Sequence, residues 1–185
     1  MDISTLPLTP INIIFLKSLK VGNSDYVILK DIDKNVYDAY NPKYPNKEYI
    51  FKKILLLDEN IEGLNITIDS FRSVKQFIVS KCYYQHRFIC YSDLFLSDDK
   101  KYVCYTYEKV EGKDLWSGWP EDPLLVDFSL LVLIAYRLFS SLEILHKHKI
   151  YHRDIKPDNI IFNKNGHVYD FLKLIDFDFS CNETV

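Results

Sequence analysis

Of the chain's 185 residues, 48% are hydrophobic and 15% are aromatic, and the formal net charge is −3. This composition excludes a disordered chain, and the slight negative charge gives no reason to expect a nucleic-acid-binding surface. The four cysteines lack the spacing of a metal site, which favours reduced thiols in a cytoplasmic protein.

The first half of the chain alternates short β-prone runs with polar turns, and one stretch has apolar residues at helical spacing. The order is three strands, one helix and two more strands. The predicted strands span residues 26–29, 36–40, 48–54, 88–96 and 101–107, and the predicted helix spans residues 70–84.

A polar segment at residues 108–115 leads into a long apolar helix predicted at 124–148. Asp127, Arg137 and Glu143 interrupt its apolar run, which favours a buried amphipathic helix over a membrane span. We therefore expect no membrane association. Two short strands are then predicted at 160–162 and 172–175, on either side of a turn at 163–170.

The motif HRDIKPDN at residues 152–159 is the strongest chemical signal, and a buried strand followed by Asp176 comes soon after it. Asp154 can orient a hydroxyl group, Lys156 supplies positive charge, and Asn159 with Asp176 can hold a divalent metal. Phosphoryl transfer needs these parts, because its catalysis is mostly positioning and charge neutralisation. In these two motifs the chain resembles the eukaryotic-type protein kinase family, and Lys156 is typical of the serine/threonine branch.

The resemblance implies an α+β, protein-kinase-like fold. We expect a complete small lobe at residues 1–107, made of a five-stranded antiparallel sheet plus a helix, and a hinge at 108–115. Residues 116–185 would form the first part only of the helical large lobe, with the catalytic loop and the metal-binding turn. The sequence ends at Val185, so we expect a truncated large lobe, with a fragment of a longer kinase as the alternative.

The resemblance also assigns roles within the catalytic loop. Asp154 would be the catalytic base, and Lys156 would neutralise charge on the transferred phosphoryl group. Asn159 and Asp176 would bind Mg²⁺ and, through it, ATP, because oxygen ligands suit this hard cation. Arg153 would pair with a phosphorylated residue of the activation segment, and His152 would have a packing role.

In the small lobe the resemblance is looser. Val36 begins a V-Y-x-A pattern of the second kinase strand, and the strand after it carries two adjacent lysines. Lys52 is the predicted ligand of the α- and β-phosphates of ATP, with Lys53 as the alternative. The competing interpretation is that both are surface lysines on an edge strand.

The segment 108–115 resembles the hinge between kinase lobes, whose backbone binds adenine. Glu108 and Val110 are the predicted adenine-binding residues, and Tyr107 would be the bulky residue at the back of the pocket. An ordinary strand-to-helix turn is the alternative interpretation of this segment.

Three departures from the family pattern bear on activity. The glycine-rich phosphate loop falls on residues 29–34 and contains no glycine; a competing register places it at residues 20–27 with one glycine. The helix glutamate that should pair with the strand lysine falls near Gln76 or Phe77. Asp178 replaces the glycine of Asp-Phe-Gly, which would remove backbone freedom at that turn.

Two functional hypotheses follow. The first is a serine/threonine protein kinase that uses ATP and Mg²⁺ on a protein substrate. The second is a truncated pseudokinase that acts as a binding module and regulates a partner kinase. Neither requires nucleic acid or a membrane. We expect the protein in the cytoplasm, which is the host cytoplasm if the chain derives from a virus or a parasite.

Overall fold

The computed structural model describes residues 2–22, 25–56, 65, 68–69, 72–74, 76–77, 86–119, 127–163 and 172–182. The chain divides into two compact units, the first made of Met1–Arg72 with Cys90–Lys109 and the second of Ser73–Ile89 with Val110–Val185. The limits of the lobes and of the hinge that the sequence suggests remain a prediction.

Six strands form one sheet in the first unit. They are β1 (Lys20–Val21), β2 (Val27–Asp33), β3 (Val36–Tyr40), β4 (Glu48–Leu55), β5 (Tyr91–Leu96) and β6 (Tyr102–Glu108). Their order in the sheet is β1-β5-β6-β4-β3-β2. All neighbours pair in the antiparallel sense except β1 and β5, which are parallel. The predicted α+β, kinase-like fold is confirmed, with β1 as an additional short strand at one edge.

The two faces of this sheet carry different aromatic groups. On one face Phe51 and Phe95 pack edge-to-face, with ring centroids 5.9 Å apart, beside the buried Cys104. Burial raises the pKa of the Cys104 thiol to about 11. On the other face Tyr105 and Tyr107 stack with their ring centroids 6.1 Å apart. Each face of the sheet therefore has its own aromatic cluster.

A helix that the sequence patterns did not predict precedes the sheet. Helix α1 (Pro10–Ser18) begins with Thr9, whose hydroxyl oxygen accepts a hydrogen bond from the Asn12 N–H at 3.3 Å. Leu16 is fully buried. A 3-10 turn at Ile3–Thr5 comes before it. The N-terminal residues thus form an ordered part of the first unit.

The described elements of the second unit are short strands around one long helix. They are β7 (Lys113–Asp114), α2 (Phe128–Lys147), β8 (Ile150–Tyr151), a 3-10 turn (Pro157–Asn159), β9 (Ile160–Phe162), β10 (Leu172–Leu174) and β11 (Cys181–Asn182). β10, β9 and β7 form one small sheet, and β11 pairs with β8. Of the helix predicted at 70–84, residues 72–74, 76 and 77 are helical. Its other residues, and 164–170 of the predicted turn, lie outside the described residues.

Helix α2 has one buried side and one exposed side. Asp127 caps its N-terminus by accepting a hydrogen bond from the Ser129 N–H at 2.8 Å. In the part of the chain that the structure describes, this is the one helix with the length and apolar composition of a membrane span, which core helices of soluble proteins also have. Its buried residues are Ile134, Arg137, Ser141 and Leu145, and its most exposed apolar residues are Phe128, Val132, Tyr136 and Phe139.

Candidate active site

The β9–β10 ladder brings the two sequence motifs of the second unit together. Leu174 lies opposite Ile160, and the Ile175 N–H donates to the backbone oxygen of Asn159 at 3.0 Å. Asn159 ends the catalytic-loop motif, and Asp176 comes one residue after the last paired residue. Both side chains therefore lie at the same end of one antiparallel ladder.

Asp154 is held by two neighbours in its own loop. Its Oδ2 accepts hydrogen bonds from Lys156 Nζ at 2.9 Å and from Asn159 Nδ2 at 2.8 Å. The hydrogen bond from Lys156 lowers the pKa of the Asp154 carboxyl, and the same contact raises the pKa of Lys156. The loop thus presents a fixed, ionised carboxylate beside a protonated amine.

Asn159 is buried, and its side-chain amide is bonded to Asp154. It is 4% exposed, and its Nδ2 donates to both the backbone oxygen and the Oδ2 of Asp154. Neither bond engages Oδ1, which is the atom that a metal would use. Together with the carboxylate of Asp176 this is an all-oxygen donor set, and it fits a hard divalent cation.

The described residues include no cluster of three or more His, Cys, Asp or Glu side chains that could hold a metal. A cation bound by Asn159 and Asp176 would therefore need further ligands from water or from bound phosphate. Mg²⁺ sites of this kind, with one or two protein carboxylate or amide ligands, are usual where the substrate carries phosphates.

His152 is buried beneath the catalytic loop, where its ring packs against Phe177, in agreement with its predicted packing role. It is 1% exposed, and its ring centroid lies 4.6 Å from that of Phe177. Nε2 lies 2.9 Å from the Ile175 carbonyl oxygen, and Nδ1 accepts from the Asp154 N–H at 3.3 Å. Both contacts are satisfied by the neutral tautomer with its proton on Nε2. Burial lowers the pKa of His152, which favours this neutral form.

Two non-glycine residues of the site have left-handed backbone conformations, Arg153 with φ 63° and Asp176 with φ 59°. Such conformations are uncommon outside glycine and concentrate at functional sites. Asp178 does not have a positive φ. The unusual conformation of this turn therefore lies at Asp176, and the loss of backbone freedom at Asp178 stays a prediction.

Arg153 makes a contact that the sequence did not reveal. Its Nε donates to the backbone oxygen of Phe179 at 2.6 Å. The Ser180 hydroxyl donates to the backbone oxygen of Phe177 at 2.6 Å, and β11 then pairs with β8. The pairing of Arg153 with a phosphorylated residue stays a prediction. Among the described residues the arginine links the catalytic loop to the turn after Asp176.

The two adjacent lysines of β4 lie on opposite faces of the first unit's sheet. Lys52 lies opposite Tyr105 on β6, on the face that carries Tyr107. Lys53 lies on the other face, with Nζ 5.0 Å from the ring centroid of Tyr37 and 5.9 Å from that of Phe51. The two lysines therefore differ in the face of the sheet on which they lie, a difference that the sequence alone did not reveal.

The segment expected to form the phosphate loop is instead a strand and a tight turn. Leu29 to Asp33 belong to β2, and Asp33 pairs with Val36, so only Lys34 and Asn35 form the turn. Asn35 adopts φ 64°, which asparagine tolerates better than most residues. The expectation of a loop at 29–34 is therefore wrong.

The competing register, with the loop at 20–27, is also inconsistent with the sheet. β1 lies at the opposite edge from the β2–β3 hairpin, and the Gly22 N–H donates to the backbone oxygen of Leu96 at 3.0 Å. The glycine of this register therefore belongs to the edge next to β5 and not to the turn between β2 and β3.

The predicted adenine-binding residues flank Lys109. The Lys109 N–H donates to the Glu48 backbone oxygen at 2.9 Å. In an antiparallel ladder neighbouring residues alternate in direction, so the backbone N–H and C=O of Glu108 point away from β4. The Glu108 side chain forms an ion pair with Lys47. Val110 is the first residue of the second unit after β6.

Gly112, within the predicted hinge, occupies a position that only glycine fits. Its φ is 126°, and a Cβ there would lie 2.4 Å from the backbone oxygen of Phe162. Three residues later the Leu115 N–H donates to the backbone oxygen of Ile160 at 2.8 Å. The segment after Val110 is therefore packed closely on β9.

Near the predicted position of the helix glutamate, the structure separates the two candidates. Gln76 is exposed. Phe77 is 7% exposed, and its ring centroid lies 4.8 Å from that of His148 and 6.2 Å from that of Phe88. Phe77 is thus a core residue, and Gln76 is a solvent-facing helix residue.

A comparison with known protein families gives one match that covers most of the chain. The family described as protein kinase domain matches residues 36–184. The chain belongs to this family. The match includes β3, where the V-Y-x-A pattern lies, and extends through both motifs of the second unit.

The relatives of this chain are also named as protein kinases. The chain is 25% identical to cyclin-dependent kinase 1 of Encephalitozoon cuniculi over 164 residues, which are 88% of this chain and 49% of that protein. It is 27% identical to cyclin-dependent kinase 8 of Caenorhabditis elegans over 176 residues, 90% of this chain and 27% of that protein. A probable serine/threonine-protein kinase, pkgA of Dictyostelium discoideum, is 29% identical over 174 residues, 85% of this chain and 11% of that protein.

The chain therefore spans about half or less of the length of these relatives. The family match and the kinase relatives support a protein kinase-like function in general, and one of these relatives is named a probable serine/threonine-protein kinase. The roles of the individual site residues stay predictions.

Proposed function

We propose that the kinase domain transfers the γ-phosphoryl group of ATP to a serine or threonine hydroxyl of a protein substrate. The observation that carries this proposal is the ionised carboxylate of Asp154, held by Lys156 and Asn159. A carboxylate in this state accepts the hydroxyl proton and directs the oxygen toward the phosphorus atom.

Lys156 has two roles in this proposal. It holds the Asp154 carboxylate in place through the 2.9 Å contact, and its amine can approach the transferred group, since its side chain is 48% exposed. Asn159 Oδ1 and Asp176 would hold Mg²⁺ with ATP. When bound, the cation would neutralise negative charge on the phosphate oxygens.

We assign three further residues to nucleotide binding. They are Lys52 and Glu108 in the first unit and Val110, which directly follows its last segment. The face that Lys52 shares with Tyr107 supports Lys52 over Lys53 as the phosphate ligand. The direction of the Glu108 backbone groups, away from β4, supports their use by adenine. Specificity for the base would then come from backbone groups, because these keep their geometry when side chains vary.

The test is a transfer assay with γ-labelled ATP, Mg²⁺ and generic protein substrates. Asp154→Asn should reduce transfer by about 10²–10⁴-fold, the usual contribution of a positioned base. Asp158→Asn is the matched control, because Asp158 is an exposed carboxylate of the same loop. Transfer that is equal in the wild type and in Asp154→Asn would remove the basis of the proposal.

A second candidate function is a pseudokinase that binds a partner kinase without transferring phosphate. The tight turn at Lys34–Asn35, in place of a glycine-rich loop, favours it. So does the exposed Gln76 in place of the helix glutamate. Both features reduce the support that a kinase normally gives to the phosphates of ATP.

Calorimetry of ATP binding with and without Mg²⁺ separates the two candidates. An active kinase should bind ATP more tightly when Mg²⁺ is present, and Asp176→Asn should remove this difference. A pseudokinase should show no Mg²⁺-dependent binding and should instead co-purify with a kinase at a fixed ratio.

A further inference from the structure

Lys109, the residue that follows β6, is attached to two other strands of the first unit. Its side-chain Nζ lies 2.8 Å from Asp38 Oδ1 on β3 and 3.2 Å from Glu48 Oε2 on β4. Its backbone N–H donates to the backbone oxygen of Glu48 at 2.9 Å. We call Asp38, Glu48 and Lys109 the Lys109 triad. One residue thus connects the end of β6 to β3 and β4.

Within the triad, the Lys109–Asp38 pair is better shielded from solvent than a neighbouring ion pair. The side chains of Lys109 and Asp38 are 38% and 22% exposed, whereas that of Glu48 is 72% exposed. Lys47 and Glu108, which pair one residue earlier, are 51% and 53% exposed. Exposed pairs are strongly screened by water and contribute little, so the part-buried contact with Asp38 is the stronger of the two side-chain contacts of Lys109.

A backbone contact of Lys109 also sets the direction of the chain at the predicted hinge. The Lys109–Glu48 backbone bond continues the antiparallel ladder by one residue beyond β6. This bond sets the alternation that directs the backbone groups of Glu108 away from β4. Lys109 stands between Glu108 and Val110, so its anchorage restricts the peptide groups on both sides.

We propose that Lys109 is a positioning residue for the nucleotide base: it holds the backbone of residues 108–110 in the orientation that binds adenine. This inference rests on the proposed function. It goes further in naming a side chain that does not touch the nucleotide and yet sets its affinity. Removing the amine would detach the end of β6 from Asp38 and Glu48, so the start of the hinge would lose its side-chain anchor.

The first experiment measures ATP affinity by calorimetry in the wild type and in three variants. Lys109→Met should weaken binding about tenfold or more, while Lys109→Arg, which keeps a cation within reach of both carboxylates, should remain within about threefold of the wild type. Lys47→Met, which breaks the adjacent exposed pair, should bind as the wild type does. Equal affinity in Lys109→Met and the wild type would overturn the proposal, and so would an equal loss in Lys47→Met.

A second experiment needs no nucleotide. Hydrogen–deuterium exchange of the peptide spanning residues 107–112 should become faster in Lys109→Met and stay unchanged in Lys47→Met, with both proteins shown to be folded by thermal unfolding. If Lys109→Met does not fold, Asp38→Asn, which removes one of the two anchors, should show the same acceleration to a smaller degree. Unchanged exchange in these variants would contradict the positioning role.

The two experiments separate the inference from the proposed function. A wild-type protein that binds no ATP overturns both the proposed function and the nucleotide role of Lys109. A wild type that binds ATP, with normal affinity and exchange in the Lys109 variants, overturns the positioning role alone.

Discussion

Asn159 donates its side-chain amide to two oxygens of Asp154, the backbone oxygen at 2.9 Å and Oδ2 at 2.8 Å. Asn159, which we propose as a metal ligand, therefore also orients Asp154, which we propose as the catalytic base. Because Asn159 is 4% exposed, these two contacts are protected from competing water. The proposed metal ligand and the group that orients the proposed base are thus the same side chain.

The first prediction concerns this side chain. Asn159→Ala should lower the free energy of unfolding by about 1–3 kcal/mol, because it removes a buried hydrogen-bonding partner of Asp154. It should also reduce phosphoryl transfer. Denaturant unfolding measures the first effect, and Asn46→Ala, at an exposed turn position, should change neither quantity. A variant as stable as the wild type would show that the two hydrogen bonds make no net contribution to the free energy of unfolding.

The second prediction concerns the charge at Asp154. Its hydrogen bond with Lys156 lowers the pKa of the carboxyl, so Lys156→Met should raise that pKa toward its ordinary value of 3.8. A carbon-detected NMR titration of the Asp154 carboxyl measures the change. Lys147→Met, which breaks the exposed pair with Glu143, should leave the Asp154 titration as it is in the wild type. The idea fails if both variants give the same curve.

The third prediction concerns Gly112. An alanine there would combine a φ of 126° with a Cβ 2.4 Å from the Phe162 backbone oxygen. Gly112→Ala should therefore destabilise the protein by about 1–3 kcal/mol, the usual cost of a side chain at a strained backbone position. In Gly118→Ala the nearest atom is Cε1 of the Phe162 side chain at 2.5 Å rather than a backbone atom, and the backbone of Gly118 has no positive φ, so the loss should be smaller. Thermal unfolding of both variants checks the order.

The fourth prediction concerns the N-terminal helix. Asn12 is fully buried, and its Nδ2 donates to Asn65 Oδ1 at 3.1 Å while its Oδ1 accepts from Arg72 Nη1 at 3.4 Å. Asn12→Ala should cost about 1–3 kcal/mol in denaturant unfolding, because it leaves buried polar groups without this partner. Ile14→Ala, on the exposed side of α1, should stay within about 0.5 kcal/mol of the wild type. The opposite order would show that α1 is attached mainly through its other side.

The fifth prediction concerns pH. Burial lowers the pKa of His152 below its ordinary value of 6.5, so the unfolded chain binds a proton at a higher pH than the folded one. Stability is therefore complete above about pH 6.5 and falls as the pH decreases toward the folded-state pKa. Unfolding free energies at pH 7, 6 and 5 should show this slope. The slope should persist in His146→Gln, an exposed histidine, and should diminish in His152→Asn.

The catalytic loop was predictable from sequence because its chemistry is local. Asp154, Lys156 and Asn159 lie within six consecutive residues, so their contacts follow from the conformation of one loop. Asp176 was predictable because a short strand pairing brings it to the same end of the ladder. The strand at 36–40 was also correctly placed, since its residues have strong strand propensity.

Other features depended on pairing between distant segments. The Lys109 triad joins residues 38, 48 and 109, and no local pattern links those positions. The choice between Lys52 and Lys53 required the register of β4, because a shift of one residue moves a side chain to the other face. The loop at 29–34 was placed by the register of Val36 in the family pattern, and that register does not reveal that Leu29 to Asp33 continue strand β2.

The β2–β3 hairpin has a consequence for how a bound phosphate chain would be protected from water. A turn of two residues, Lys34 and Asn35, has no length left to fold over a ligand, and the Lys34 N–H is already bonded to the Asp33 carboxylate at 2.7 Å. Hydrolysis of ATP by solvent should therefore compete with transfer to protein in this domain. The ratio of free phosphate to phosphorylated substrate would report that competition directly.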